Sequence, residues 1–248
     1  MNQLKQIAEF RSVLNNYKLS ASAEQVLADT QLVLLVGPSG GGGRNTIIRE
    51  LLQTGRYHYI VSDTTRHIRI KDGVPIEQDG REYWFRSEAE ILDDLRQGEF
   101  LEAAVIHEQQ VSGISIREVA KARTNHLVAI TDVETAGAAT IHNLKPDTTI
   151  VFVVPPDFTT WMQRLRSRSD LPESEIRRRM EGACREFRAV LAHDYYTIVV
   201  NDKLDEAVAE IHHIVTTGDR STAKEQIAHR LVEQLLQDAQ AYLAQPVA

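Results

Sequence analysis

Leu4, Ile7, Phe10, Val13, Leu14 and Tyr17 open the chain at spacings of three and four, a stripe along one side of a helix. The polar stretch 18–30 holds a shorter helical segment over Ala23–Ala28. The pattern then changes. Leu32-Val33-Leu34-Leu35-Val36 is apolar without a break and stops at Gly37-Pro38, as expected of a strand buried in a parallel sheet. Similar short segments recur at Tyr57–Val61, Leu127–Thr131, Thr149–Val154 and Thr197–Val200. Helical patterns lie among them at Thr46–Gln53, Ile116–Arg123, Phe158–Arg166, Glu173–Ala192 and Asp205–Val215. Strands alternating with helices predict a βαβ layout, and so an α/β protein around a parallel sheet. Between Ser62 and Gly113 the rhythm breaks. Asp72-Gly73 and Asp79-Gly80 are turn pairs and Arg81–Phe85 alternates, which predicts a small antiparallel insertion with a helix over Ser87–Gln97. Near the end, Thr222-Ala223-Lys224-Glu225 fits a capping box. Ile227, Leu231, Val232, Leu235, Leu236, Ala239 and Tyr242 then form an amphipathic stripe. There is no internal repeat.

Composition adds limits. At 248 residues, with 42% hydrophobic and 25% charged, the chain can build a sizeable core as one large domain or two small ones. A net charge of −7 argues against a dedicated duplex-DNA binder, so no nucleic-acid partner is expected. The single cysteine, Cys184, excludes an internal disulfide framework and a multi-cysteine zinc site, and fits a reducing compartment. Neither an apolar signal core nor a run near the ~20 residues of a membrane span is present, so a soluble cytoplasmic protein with no membrane partner is expected.

The first buried strand runs into Gly37-Pro38-Ser39-Gly40-Gly41-Gly42-Gly43-Arg44-Asn45-Thr46 and then a helix. Consecutive main-chain N–H groups in such a glycine loop, backed by a helix N-terminus, make a cradle for phosphate. The loop departs from the G-x-x-x-x-G-K-[ST] pattern. Counted from Gly37, the lysine position is Gly43 and the hydroxyl position Arg44. With one extra glycine in the loop, Arg44 takes the place of the lysine and Asn45 that of the hydroxyl residue, with Thr46 next.

Further on stand Ser62-Asp63-Thr64-Thr65-Arg66-His67-Ile68-Arg69 and Gly80-Arg81-Glu82-Tyr83-Trp84-Phe85. Arg66 and Arg69, three apart in a polar loop, can fork onto one phosphate monoester, with Tyr83 donating its hydroxyl. From about Gln31 to about Val215 the chain resembles the guanylate kinase family, whose pattern is S-x-T-T-R-x-x-R and G-x-[DE]-Y-x-F after a P-loop. The resemblance implies a P-loop nucleoside monophosphate kinase fold of three layers, with a parallel core, a mixed or antiparallel GMP-binding insertion and a short lid. It implies that Arg66, Arg69 and Tyr83 hold the GMP phosphate, and that Ser62, Glu102 and Glu134 face guanine. Guanine needs acceptors for N1–H and its amino group and a donor for O6, which two acids and a hydroxyl supply. Glu134 stands in Asp132-Val133-Glu134-Thr135-Ala136-Gly137, where the family has D-x-D-x-Q-G. Val111-Ser112-Gly113-Ile114-Ser115 departs from the family's Y-G-[ST]-S, with Ser112 in place of tyrosine and Ile114 in place of the hydroxyl residue.

From Arg164 to Arg188 there are eight arginines and five acids, a local charge of +3. Mobile arginines are a recurrent means of stabilising a transferring phosphoryl group. The resemblance assigns that task to Arg164, Arg168 and Arg179 and places Asn201, in Val199-Val200-Asn201-Asp202, near the donor adenine. It implies ATP and GMP as substrates and Mg2+ as the ion, held through Asn45 or Thr46 and waters with Asp132 nearby. Three divisions are expected. A helical extension covers 1–29 and a kinase-like domain 30–216, the latter with its insertion at about 62–113 and its lid at about 164–179. A helix covers 217–248, and the protein is a monomer or homodimer. Two alternatives to an ATP-dependent guanylate kinase stay open: a GMP- or phosphopeptide-binding module, from the missing lysine, and a kinase with another acceptor, from Ser112 and Ile114.

Overall fold

A computed structural model describes residues 4–167 and 171–246. In chain order the elements begin α1 (Ile7–Asn15), α2 (Ala21–Ala28), β1 (Leu32–Val36), α3 (Arg44–Gln53), β2 (Tyr57–Tyr59) and β3 (Asp63–Thr64). Next come β4 (Ile70–Lys71), β5 (Val74–Pro75), β6 (Trp84–Phe85), α4 (Glu88–Arg96), β7 (Phe100–Ile106) and β8 (Gln110–Ser115). They continue as α5 (Ile116–Thr124), β9 (Val128–Asp132), α6 (Thr135–Leu144) and β10 (Thr149–Val154). The last are α7 (Phe158–Ser167), α8 (Glu173–Leu191), β11 (Tyr196–Val200), α9 (Leu204–Thr217) and α10 (Thr222–Ala244). Helix α6 was not expected. Its Ala-Gly-Ala-Ala run carries no broad apolar stripe, and it forms with only Ala138 and Ile141 buried.

Two compact units share the chain. One takes the described residues of 33–56, 130–142 and 147–248. Its strands run in the order β11-β10-β1-β9. β1 is parallel to β10, from Val33 opposite Thr149 to Val36 opposite Phe152, and β10 is parallel to β11. All five residues of β1 are buried, which explains their unbroken apolar character. Helix α8 buries Ile176, Met180, Ala183, Cys184, Phe187 and Val190 along one side, and α10 packs along it with Ala228, Val232, Leu235 and Ala239 buried. Ser221 takes the capping position expected of Thr222, its hydroxyl accepting the Lys224 N–H at 3.5 Å.

The other unit takes the described residues of 1–32, 57–129 and 143–146. Its sheet has the order β6-β3-β8-β7. β8 is antiparallel to β3 and to β7, but β6 is parallel to β3, so of the mixed or antiparallel insertion that the resemblance implies the sheet is the mixed form, and the turn pairs and alternation alone do not predict the parallel pair. The reason is the excursion between Arg66 and Tyr83, which brings Trp84–Phe85 back in the direction of Asp63–Thr64. Within it β4 and β5 form a two-residue hairpin, with φ of 51° at Asp72 and 79° at Gly73. Leu4 and Phe10 share a core with Ile91, Leu92, Leu95, Phe100 and Val111, which seats α1 on this unit. The Tyr17 hydroxyl donates to the Phe100 carbonyl at 2.5 Å and accepts the Phe100 N–H at 2.6 Å.

Candidate active site

β1 delivers the chain into the glycine loop, and Gly43 starts α3 as its N-cap at φ 75°. A Cβ at Gly43 would lie 2.6 Å from Asn201 Nδ2, so both the conformation and the space require glycine. At Gly41 a Cβ would stand 2.4 Å from Cδ1 of the buried Trp161 ring. Asn201, buried, donates its side-chain N–H to the Gly42 carbonyl at 2.8 Å. Arg164 donates to the carbonyls of Asn201 at 2.8 Å, Gly41 at 3.4 Å and Asp202 at 3.4 Å. Engaging the Gly41 and Gly42 carbonyls keeps their lone pairs away from an anion on the loop, whose attraction comes from main-chain N–H groups and the α3 N-terminus.

Arg44 is the first residue of α3. Its guanidinium donates to the Val133 carbonyl at 3.1 Å and lies 4.0 Å from the Asp132 carboxylate. Asn45 is exposed and Thr46 half-buried in the same helical turn. Glu186 on α8 keeps Oε2 buried and without a hydrogen-bond partner. Burial pushes its carboxyl up to about 7; the positive charges of Arg44 and Arg185 oppose the shift and the negative charge of Glu134 adds to it. Arg179, also on α8, donates to Glu175 at 2.8 Å. Arg168 lies outside the described residues. Glu134 is exposed, just before α6.

Arg66, Arg69 and Tyr83 come together in the unit that carries the mixed sheet. The Thr64 hydroxyl accepts the Arg66 N–H at 3.2 Å, and the Thr65 hydroxyl accepts the Val111 N–H at 2.9 Å. The two threonines thus fix the turn that presents Arg66. Its guanidinium sits 5.2 Å from the Tyr83 ring centroid and 5.5 Å from that of Phe85. Glu77 accepts Arg66 Nη1 and Nη2 at 2.8 Å each and the Arg69 main-chain N–H at 2.8 Å. Nη1 of Arg69 lies 3.6 Å from the same carboxylate.

Ser62 is half-buried and its carbonyl accepts the Trp84 N–H at 2.9 Å. Glu102 is half-buried on β7, opposite Ile114 on β8. Ser112 donates to the Thr64 hydroxyl at 2.9 Å and accepts from Gln110 at 3.3 Å, while Ile114 is buried. Asp63 faces away into the interior between Arg117 at 2.9 Å and Arg86 at 3.4 Å. Burial pushes its carboxyl up, against the pull of the Ser115 hydroxyl and both arginines. Three partners escape a reading of the sequence: Glu77, Glu186, and the buried Glu118, which accepts from the Trp84 indole N–H at 3.2 Å. Only Glu77 left a trace, since the Asp72-Gly73 turn folds the chain back beside Arg69.

Comparison with known proteins locates these features within a wider group. The family model for guanylate kinase matches residues 29–217. A guanylate kinase of Sulfurimonas denitrificans is 39% identical over 178 residues, 71% of this chain and 82% of that protein. One of Corynebacterium glutamicum is 34% identical over 186 residues, 75% of this chain and 94% of that protein. One of Symbiobacterium thermophilum is 34% identical over 207 residues, 83% of this chain and 93% of that protein. The crystal structure of guanylate kinase from Anaplasma phagocytophilum has the same fold, with a TM-score of 0.55 at 22% identity over 82% of this chain and 94% of that one.

Proposed function

The chain belongs to the guanylate kinase family, and we propose that it transfers the γ-phosphoryl group of ATP to GMP, giving ADP and GDP. The observation that carries the acceptor assignment is the meeting of Arg66, Arg69 and Tyr83 in one unit, with the Arg66 guanidinium 5.2 Å from the Tyr83 ring. In this reading the two guanidinium groups and the tyrosine hydroxyl hold the monoester phosphate. Ser62, Glu102 and Glu134 supply the hydroxyl and carboxylates that guanine's edge requires. Residues 37–46 hold the donor phosphates on main-chain amides, with Arg44 as their cation. Arg164 steadies the loop through Gly41, and Arg179, with Arg168, meets charge on the transferring group.

A phosphate oxygen of GMP attacks the γ-phosphorus, the bond from that phosphorus to the β,γ-bridging oxygen breaks, and ADP leaves with the electron pair. No covalent enzyme intermediate is required, because orientation and charge stabilisation supply the rate. The described residues contain no group of three or more His, Cys, Asp or Glu side chains set to hold a metal. Mg2+ arriving with ATP would need no more than one or two carboxylates of the chain. Asn45 or Thr46 would hold it through waters, with Asp132 nearby. When bound, the ion would supply positive charge against the phosphates of the nucleotide. ATP and GMP as substrates imply a cytoplasmic setting, and no described helix is long and apolar enough to cross a membrane.

A coupled assay with ATP, Mg2+ and, in turn, GMP, AMP, dTMP and UMP tests the reading. GMP is expected to turn over well above the other three, and absence of GMP turnover rejects it. A second reading, a module that binds GMP without phosphoryl transfer, draws support from Arg44, whose guanidinium is engaged by the Val133 carbonyl. Calorimetry that gives GMP binding without ATP binding would select it.

A further inference from the structure

Glu77 lies eleven residues from Arg66, across the β4–β5 hairpin, yet its side chain is 7% exposed beside an Ile76 that is 51% exposed. Its carboxylate closes on the far end of the Arg66 guanidinium, taking one N–H from each terminal nitrogen at 2.8 Å. The second N–H of Nη1 goes to the His67 carbonyl at 2.9 Å. These three bonds leave the Nε–Nη2 edge as the face of the fork that an anion can take. The rings of Tyr83 and Phe85, with centroids 6.0 Å apart, lie 5.2 and 5.5 Å from the same guanidinium. The carboxylate also takes the Arg69 main-chain N–H, and Ile76 donates to the Arg69 carbonyl at 3.0 Å, so the hairpin base is clipped to the segment that carries both arginines.

We infer that Glu77 is the positioning residue of the acceptor-phosphate pocket: it fixes the Arg66 fork and the Arg69 backbone so that a nucleoside monophosphate meets an already oriented guanidinium edge. The inference rests on the assignment of Arg66, Arg69 and Tyr83 to the acceptor phosphate made above. Orientation by an internal carboxylate removes the entropy that a free arginine loses on binding, and it acts only on ligands that carry the phosphate. Two arginines against one glutamate leave the group at a formal +1, still attractive to a phosphate monoester. The Arg66 bonds, first among several causes, hold the Glu77 carboxyl down to about 2, so the device is present throughout the physiological pH range.

The test uses the full chain with Glu77→Gln and Glu77→Asp. Calorimetry with GMP and with guanosine separates phosphate recognition from folding of the insertion. For Glu77→Gln the GMP affinity is expected to fall roughly tenfold and the guanosine affinity less than about twofold, the scale of a charge-assisted contact. KM for GMP rises in step while kcat changes by less than about threefold, since ground-state binding is what is lost. Glu77→Asp, which keeps the charge, restores most of the GMP affinity. Equal weakening of guanosine and GMP overturns the inference and makes Glu77 a brace of the hairpin alone. A GMP affinity at or above the parent's also overturns it and makes Glu77 a competitor of the phosphate. If the parent chain itself binds no GMP, the underlying assignment fails and the inference falls with it, a result distinct from a parent that binds and a variant that does not differ.

Discussion

Arg44 and Glu186 pose opposite problems at the single-residue scale. Arg44 carries the charge that the glycine loop otherwise lacks, while Glu186 hides a carboxyl oxygen with no partner. Under the kinase reading Arg44→Ala lowers kcat/KM for ATP by on the order of a hundredfold with KM for GMP little changed, and Arg44→Lys retains more, as steady-state kinetics will measure. The Glu186 carboxyl titrates near 4.5 when unfolded and about 7 when folded. Between these values the unfolded chain has released its proton and the folded chain keeps it. Stability from this group therefore falls as pH rises from about 4.5 to 7, and the penalty is complete above that. Glu186→Gln is expected to raise stability at pH 8 by about 1–2 kcal/mol and to have little effect near pH 4.5, read as melting temperatures at both values. An equal shift at the two pH values would show that packing and not ionisation is responsible.

Elements bring these residues to their places, and the strand β6 shows how. Trp84 projects from it with its indole N–H on Glu118, while Arg117 and Lys121 lie 5.3 and 4.8 Å from its ring centroid. Glu118 also receives His58 at 3.3 Å and lies beside Lys121, so one buried carboxylate gathers β2, β6 and α5. Glu118→Leu leaves His58, Lys121 and the indole N–H without their shared acceptor and is expected to cost about 3–5 kcal/mol in denaturant unfolding. Trp84→Phe keeps the ring but not the bond and should cost nearer 1 kcal/mol. Neither residue announces this in the sequence, because a Glu in an amphipathic helix reads as a solvated one and only the tertiary fold supplies its partners. The segments that were legible are those whose local pattern fixes their state: unbroken β1 and the glycine loop opening α3. The parallel pairing of β6 and the closure of Glu77 onto Arg66 were not, since both depend on where the chain returns after Arg66, which periodicity does not encode.

At the scale of the whole molecule the chain continues beyond the family match at residue 217 into α10. That helix packs along α8, and its far end reaches the first turns of α8, where the Tyr242 hydroxyl donates to Glu173 at 2.7 Å. Arg177 reaches back to the Leu243 carbonyl, and Phe158 of α7 meets the Tyr242 ring at 6.0 Å. The same turns carry Glu175 with Arg178 and Arg179. Removing residues 219–248 would uncover the α8 side against which Val232 and Leu235 are buried, at a cost of several kcal/mol, on the scale of the ~5–15 kcal/mol that holds a domain together. Such a chain is expected to unfold or aggregate, which says little about the reaction. Tyr242→Phe is the finer probe, because it keeps the ring packing and removes only the bond to Glu173. A loss of about 1 kcal/mol should lower the melting temperature by roughly 2–4 °C. If α10 holds the start of α8 still for Arg179, kcat falls a few-fold in the same variant with both KM values unchanged, because Arg179 is assigned to the transferring group and not to substrate binding. A lowered melting temperature with unaltered kcat would instead confine α10 to covering the apolar side of α8.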